Sequence, residues 1–184
     1  MDTSSSTHTI SSVALAGICA ENEGVVENCL AHGTIEQKES TSITEELIGG
    51  IIATNLSGAR VSNCYSCAEL ISKGTRTVNL GGLVAKNKTN ANVTFSCFAG
   101  TITAGSATYY GYVIGQAETG STCFKCYYSS SAVITVGGEV KAAGTCTEGT
   151  AKTLDELHST ALLVDTLYWD TDIWNIGFGV PTLK

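Results

Sequence analysis

The stretch Leu80–Gly100, LGGLVAKNKTNANVTFSCFAG, opens on a glycine pair, places an Asn five residues after the second glycine, and closes on a Cys beside an aromatic. Nearly the same phrase occurs as LIGGIIATNLSGARVSNCYSCAE from Leu47 and as LAGICAENEGVVENCLAHG from Leu15. Aligned on Gly17, Gly50, Gly82 and Gly111, the copies are spaced by 33, 32 and 29 residues. Five residues further on stand Asn22, Asn55, Asn87 and Gln116, followed by a turn residue at Gly24, Gly58, Asn90 and Gly120. Then comes a cysteine (Cys29, Cys64, Cys97, Cys126), each followed by Leu30, Tyr65, Phe98 or Tyr127. A recurring period of about 30 residues is the mark of a repeat architecture.

The unit decides which repeat. Each copy holds short runs rich in Val, Ile and Leu, broken by Gly or Asn, with no helical period. Between the Cys and the next copy lies a looser run, GTIEQ, AELIS, GTITA and SAVITV. Helical repeats are excluded on that ground, and propeller blades need about 40–45 residues. The pattern predicts an all-β fold, a parallel β-helix-like β-solenoid of about four coils, in which equivalent residues stack about 4.8 Å apart. Stacked Asn side chains at a corner then form an amide ladder, with Asn22, Asn55, Asn87 and Gln116 as its expected rungs.

Composition agrees. The 184 residues suit one domain with a real core, and 20 glycines against a single proline favour strands and turns. Net charge is −7, with only 10 Lys and Arg, so neither nucleic acid nor an anionic membrane surface is an expected partner. No apolar run approaches the roughly 20 residues that span a bilayer. The N-terminus, MDTSSSTHTISSVALAG, lacks the basic region of a signal peptide, and the chain reads as a piece of a larger protein.

Eight cysteines invite a disulfide framework. Four of them share one repeat position, however, and a column of parallel side chains holds Cβ atoms wider apart than the usual ~3.8 Å of a disulfide. The expectation is a buried ladder of reduced thiols at Cys29, Cys64, Cys97 and Cys126. The pairs Cys64/Cys67 and Cys123/Cys126 have the spacing of two zinc half-sites, but lie two coils apart and out of register, so no metal is expected.

Beyond the fourth copy the chain changes character. Thr153 and Glu156 form a capping box, and Leu154, Leu157, Ala161 and Leu162 fall on one face of a helix. Trp169, Trp174, Phe178 and Pro181 follow. An open solenoid end exposes core and strand edges, so this segment is expected to plug it. The division is a tail or leading strand at 1–13, a solenoid at 14–150, and a capping helix and tail at 151–184.

At these residues a family resemblance can be stated. IGGIIATN…VSNCYS and LGGLVAKN…FSCFAG resemble the GLUG motif of large secreted or surface-anchored bacterial proteins. These include adhesin-like proteins and the non-catalytic portion of some IgA1-cleaving metallopeptidases. The ending KTLDELHS…WDTDIWNIGFGVPTL is similar to the segment that closes such arrays. The resemblance covers roughly residues 14–184, is degraded in the fourth copy, and implies a β-helix-like module outside the cell or on its surface. It supplies no catalytic residue.

The residues themselves offer little chemistry. His8, His32 and His158 are far apart, and no H-E-x-x-H is present. A polysaccharide-cleaving solenoid needs carboxylates converging with a base; here Glu21, Glu23, Glu27, Glu36, Glu45 and Glu46 crowd the start, with Arg60 and Arg76 as candidate guanidiniums. Asp170 and Asp172 have calcium-loop spacing without the rest of the loop. No catalytic, cofactor-binding or metal residue is assigned. The expected function is a non-catalytic, monomeric stalk, adhesion or binding module whose partner is a host protein or glycan. The alternative is a polysaccharide-active enzyme or carbohydrate-binding module. Leu30, Tyr65, Phe98 and Tyr127, with Tyr109, Tyr110, Tyr112 and Tyr128, form either an exposed binding stripe or an internal stack.

Overall fold

A computed structural model describes residues 12–38, 43–75, 77–146, 148–177 and 179–184. His8, Arg76 and Phe178 lie outside the described residues.

Four coils stack into a parallel β-solenoid, each built of five short strands. In the first coil these are Ser12–Ala16, Cys19–Asn22, Val25–Glu27, Leu30–Ala31 and Thr34–Gln37. Every strand pairs in register with its counterpart one coil on, for example Ile35, Leu70, Ile102 and Ile134. That column and its neighbours (Val26, Val61, Val93; Leu15, Ile48, Leu80) fill the interior. Each fully buried Ile or Leu contributes about 1.5–3 kcal/mol, so the stack of like on like carries the fold.

The glycine pair has a steric cause. A Cβ on Gly50 would run into the Gly82 carbonyl and the Ser66 hydroxyl, and one on Gly82 into the Tyr112 carbonyl and the Phe98 ring. The amide ladder exists: Asn22 Nδ2 donates to Asn55 Oδ1 at 2.8 Å, and Asn55 Nδ2 to Asn87 Oδ1 at 2.9 Å. It has three rungs rather than four. Ala117, not Gln116, lies opposite Asn87, and Gly111 lies opposite Gly81, not Gly82. The fourth coil keeps only the first glycine of the pair, so alignment on the second shifts it by one residue.

The cysteine column is likewise broken. Cys97 lies opposite Tyr65 and Tyr127, and Phe98 opposite Ser66 and Tyr128. Ser96 therefore takes the place beside Cys64, and the column reads Cys29, Cys64, Ser96, Cys126. A second register column reads Leu30, Tyr65, Cys97, Tyr127. The offset between coils two and three is 32 residues throughout (Asn55 to Asn87), whereas the two cysteines are 33 apart.

The C-terminal segment does not plug the open end. After Val136 a Gly137–Gly138 turn folds Glu139–Lys141 back antiparallel on Ile134–Val136. Thr145 then caps the Tyr110 strand, its backbone N–H donating to the Tyr110 carbonyl at 2.7 Å. Thr150–Lys152 adds a fifth strand beside Tyr127–Ser129. The helical part follows and lies along the flank. It is two single turns, Leu154–Leu157 and Thr160–Leu163, because Ser159 interrupts as a second N-cap. The capping box forms as expected. Leu157, Leu162 and Leu163 are buried with Leu167, Trp169 and Trp174 against Tyr65 and Cys97, while Leu154 and Ala161 face outward.

Candidate functional site

The flank where the C-terminal segment meets the coils is set by one backbone corner. Asn28, Asn63, Phe95 and Lys125, one per coil, all adopt left-handed φ of 50–54°. Asn tolerates this conformation; Phe and Lys reach it at a cost of order 1–2 kcal/mol. At this corner Trp169 Nε1 donates to the Phe95 carbonyl at 2.9 Å and Trp174 Nε1 to Asn28 Oδ1 at 3.2 Å, so both indoles, nearly fully buried, are anchors rather than contacts for a ligand. They pack on each other at 4.5 Å between ring centroids.

Just beyond Trp169 the surface turns aromatic. Tyr168, 71% exposed, Phe124, 55% exposed, and Phe95 surround the Lys125 ammonium, which lies 5.2, 5.9 and 6.0 Å from their ring centroids. Phe95 and Phe124 meet edge to face, and Lys125 Nζ donates to the Thr166 carbonyl at 3.2 Å. An ammonium carries three donors, so the bond to Thr166 leaves others for a second acceptor. Tyr168 itself has φ 57°, which directs the chain there. The result is a rigid aromatic rim with a cation at its centre, suited to stacking on an apolar or sugar face while donating to an oxygen. Beside it a 290 Å³ hollow is lined by Lys125, Tyr127, Gly149 and Thr150.

This rim uses none of the aromatics that the repeat offered as either an exposed stripe or an internal stack. Tyr65 and Phe98 are fully buried on different columns, and Tyr112 and Tyr128 stack internally at 4.3 Å and 8°. Of that set only Tyr109 is exposed, at 38%. Phe124 and Tyr168 were not legible as surface aromatics: Phe124 breaks a column otherwise made of Glu27, Ser62 and Thr94, and Tyr168 lies beyond the repeat with no counterpart in the coils.

The remaining candidates are dispersed. Glu27 pairs with Arg60 at 3.8 Å, Glu36 with Lys73 at 2.6 Å and Glu45 with Lys86 at 3.4 Å, each with its own base. Glu21 and Glu23 are exposed, and Glu46 is buried in the core. His158 Nε2 meets the Tyr65 hydroxyl at 2.9 Å; burial lowers the imidazole pKa and raises that of the phenol. His32 is exposed on the first coil. Cys64 joins the core while Cys67 packs under the flank segment, so that C-x2-C pair points two ways. Among the described residues no three His, Cys, Asp or Glu side chains are placed to hold a metal. The Asp170 carboxylate accepts from the Asp172 backbone N–H at 2.8 Å, closing its own turn between the tryptophans.

Together the coils, their ladder and the flank segment define an all-β protein of the parallel β-solenoid class. The same fold occurs in the crystal structure of a putative immunoglobulin A1 protease from Bacteroides ovatus, with a TM-score of 0.76 and 21% sequence identity. The match covers 95% of this chain and 54% of that one, so the chain spans about half of its neighbour's length. No protein-family model matches the chain, and no curated protein matches it either. No helix among the described residues is long and apolar enough to cross a membrane.

Proposed function

We propose that this chain is a non-catalytic adhesion or stalk module, of the GLUG-repeat type, in a larger secreted or cell-surface bacterial protein. Its binding contact is the aromatic rim of Phe95, Phe124 and Tyr168 around Lys125. The observation that carries this reading is the exposure of two large rings on a corner whose backbone is held in register by four coils. Exposed rings on a rigid frame lose little entropy on binding and supply much of the contact energy. The solenoid likeness to a bacterial protein named for a protease acting on a host immunoglobulin supports placement outside the cell. The protease activity in that name is not carried over, since carboxylates and bases here pair off singly. The partner is a host glycoprotein, met through its protein or its glycan.

The test is a binding screen of the chain against host glycoproteins and glycan panels, repeated with the double variant Phe124→Ala/Tyr168→Ala. Binding lost in the variant while β-structure is kept supports the assignment. Equal binding by both proteins would remove this surface from the reading.

A further inference from the structure

Two thiols of neighbouring coils share one rung of the left-handed corner. Leu30 lies opposite Tyr65, and the Tyr65 N–H donates to the Cys29 carbonyl at 2.9 Å, which sets Cys29 beside Cys64. Each thiol closes the same small ring around its left-handed Asn. Cys29 Sγ donates to the Glu27 carbonyl at 3.2 Å, and Cys64 Sγ to the Ser62 carbonyl at 3.1 Å. The side chains thus occupy equivalent positions one coil apart, each just before one of the paired strands Leu30–Ala31 and Tyr65–Ser66. They differ in access: Cys29 is half-buried on the first coil, and Cys64 is fully buried. On the next rung Ser96 makes the equivalent contact, its hydroxyl donating to the Thr94 carbonyl at 2.7 Å, so the thiol run stops at two.

We infer that Cys29 and Cys64 form a thiol–disulfide exchange site, with Cys29 the attacking sulfur, Cys64 the resolving sulfur, and a small disulfide of the glutathione class the oxidant. The difference in access gives the order of attack, and the shifts agree with it: interaction with the Cys64 side chain lowers the Cys29 thiol to about 7, while interaction with Cys29 and burial push Cys64 well up. A thiol with pKa near ambient pH is the best placed attacker. In the first step Cys29 gives its proton to solvent and its thiolate attacks one sulfur of RSSR. The S–S bond breaks and RS⁻ leaves, taking up a proton. Cys64 then loses its proton and attacks the Cys29 sulfur of the mixed disulfide, expelling a second RS⁻, which is protonated in turn. Two cysteines are oxidised to one disulfide and RSSR is reduced to two RSH.

Geometry allows the product and makes it reversible. Aligned residues on adjacent strands sit about 4.8 Å apart, inside the ~4.4–6.8 Å Cα range of disulfides. Parallel side chains hold the Cβ atoms wider than the usual ~3.8 Å, so closing the bond strains the corner and leaves it easily reduced. Cys123 is no such attacker, because interaction with Cys126 and burial push its thiol far up.

The test uses the full chain, reduced and then exposed to oxidised glutathione at neutral pH, with free thiols alkylated and peptides mapped by mass spectrometry. The Cys29–Cys64 link should appear before any other. Cys64→Ser should accumulate glutathione on Cys29, and Cys29→Ser should form neither product. Serine already serves this column as Ser96, and the wild-type order of linkage decides the matter even if a variant misfolds. A different pair linking first, glutathione resting on Cys29 without transfer to Cys64, or an unmodified Cys29 would each overturn the assignment.

Discussion

The indole N–H of Trp169 donates to the backbone carbonyl of Phe95 across a sequence separation of 74 residues, at 2.9 Å. That carbonyl belongs to a left-handed corner residue and the ring is almost completely buried. Trp169→Ala removes the ring and leaves a cavity, at a cost of about 3–5 kcal/mol. Against a typical total of about 5–15 kcal/mol the variant should show a large fall in urea midpoint. Trp169→Phe should lose less, by about the 1–3 kcal/mol of one unsatisfied carbonyl plus some packing. Equal midpoints for wild type and Trp169→Ala would show that the flank segment is not docked.

Removal of residues 153–184 should act through the same surface. It uncovers Tyr65 and Cys97, with Leu30 and Tyr127 beside them, while the strand at Thr150–Lys152 and the Gly137–Gly138 turn remain. The truncated chain should bind a hydrophobic dye and self-associate, read by fluorescence and by light scattering. A monomer that binds no dye would contradict the packing on this flank.

The amide ladder predicts a graded series. Asn55 both accepts from Asn22 and donates to Asn87, so Asn55→Ala strands a donor and an acceptor in a buried column. The cost is about 1–3 kcal/mol for each group that finds no other partner. Asn22 is the outermost rung, and Asn22→Ala strands one ladder acceptor, Asn55 Oδ1, so it should cost less. Thermal midpoints in the order wild type, Asn22→Ala, Asn55→Ala check this, and a reversed order would sink the ladder as a stabilising unit.

The coil class was legible because stacking makes each column demand the same residue type: glycine where backbones nearly touch, Asn where an amide bridges coils. Registers slipped where a column changes type. Tyr112 stands where Gly17, Gly50 and Gly82 stand in the other coils, its ring stacked on Tyr128, and Ser96 stands where the other coils have Cys. A single-letter match one residue away, Gly111 or Cys97, then misleads the eye. The flank position of the C-terminal segment had no local signal at all. Its anchors are a main-chain carbonyl at Phe95 and an amide at Asn28, and only the coiling brings them within reach of two indoles.

The glycine columns separate into crowded and open positions. Gly82→Ala places a methyl group against the Tyr112 carbonyl and the Phe98 ring, both parts of a packed core. Overpacking of this kind costs about 1–3 kcal/mol or more. Gly24→Ala meets nothing within 4 Å and has no left-handed φ, so it should be neutral or slightly stabilising. Denaturant titration of the two variants side by side should show a large shift for the first and none for the second.

Glu46 should make stability fall as pH rises. Its carboxyl points into the core, 3% exposed, with Oε1 unpartnered among the described residues and Ser72 beside it. Burial raises its pKa above the ordinary 4.5, and the Ser72 hydrogen bond only partly offsets this. The folded chain therefore holds this proton more tightly than the unfolded chain does. Below the unfolded pKa both states are protonated and Glu46 exerts no pH-dependent effect. As pH rises from there through the raised folded value, stability is lost, and the loss is complete above it. Glu46→Gln keeps the shape and the Ser72 contact without the titration. Urea midpoints of wild type and variant should nearly coincide at about pH 3, below the carboxyl range, and diverge in favour of the variant by about pH 7. A difference independent of pH would show that the carboxyl titrates as it does in the unfolded chain.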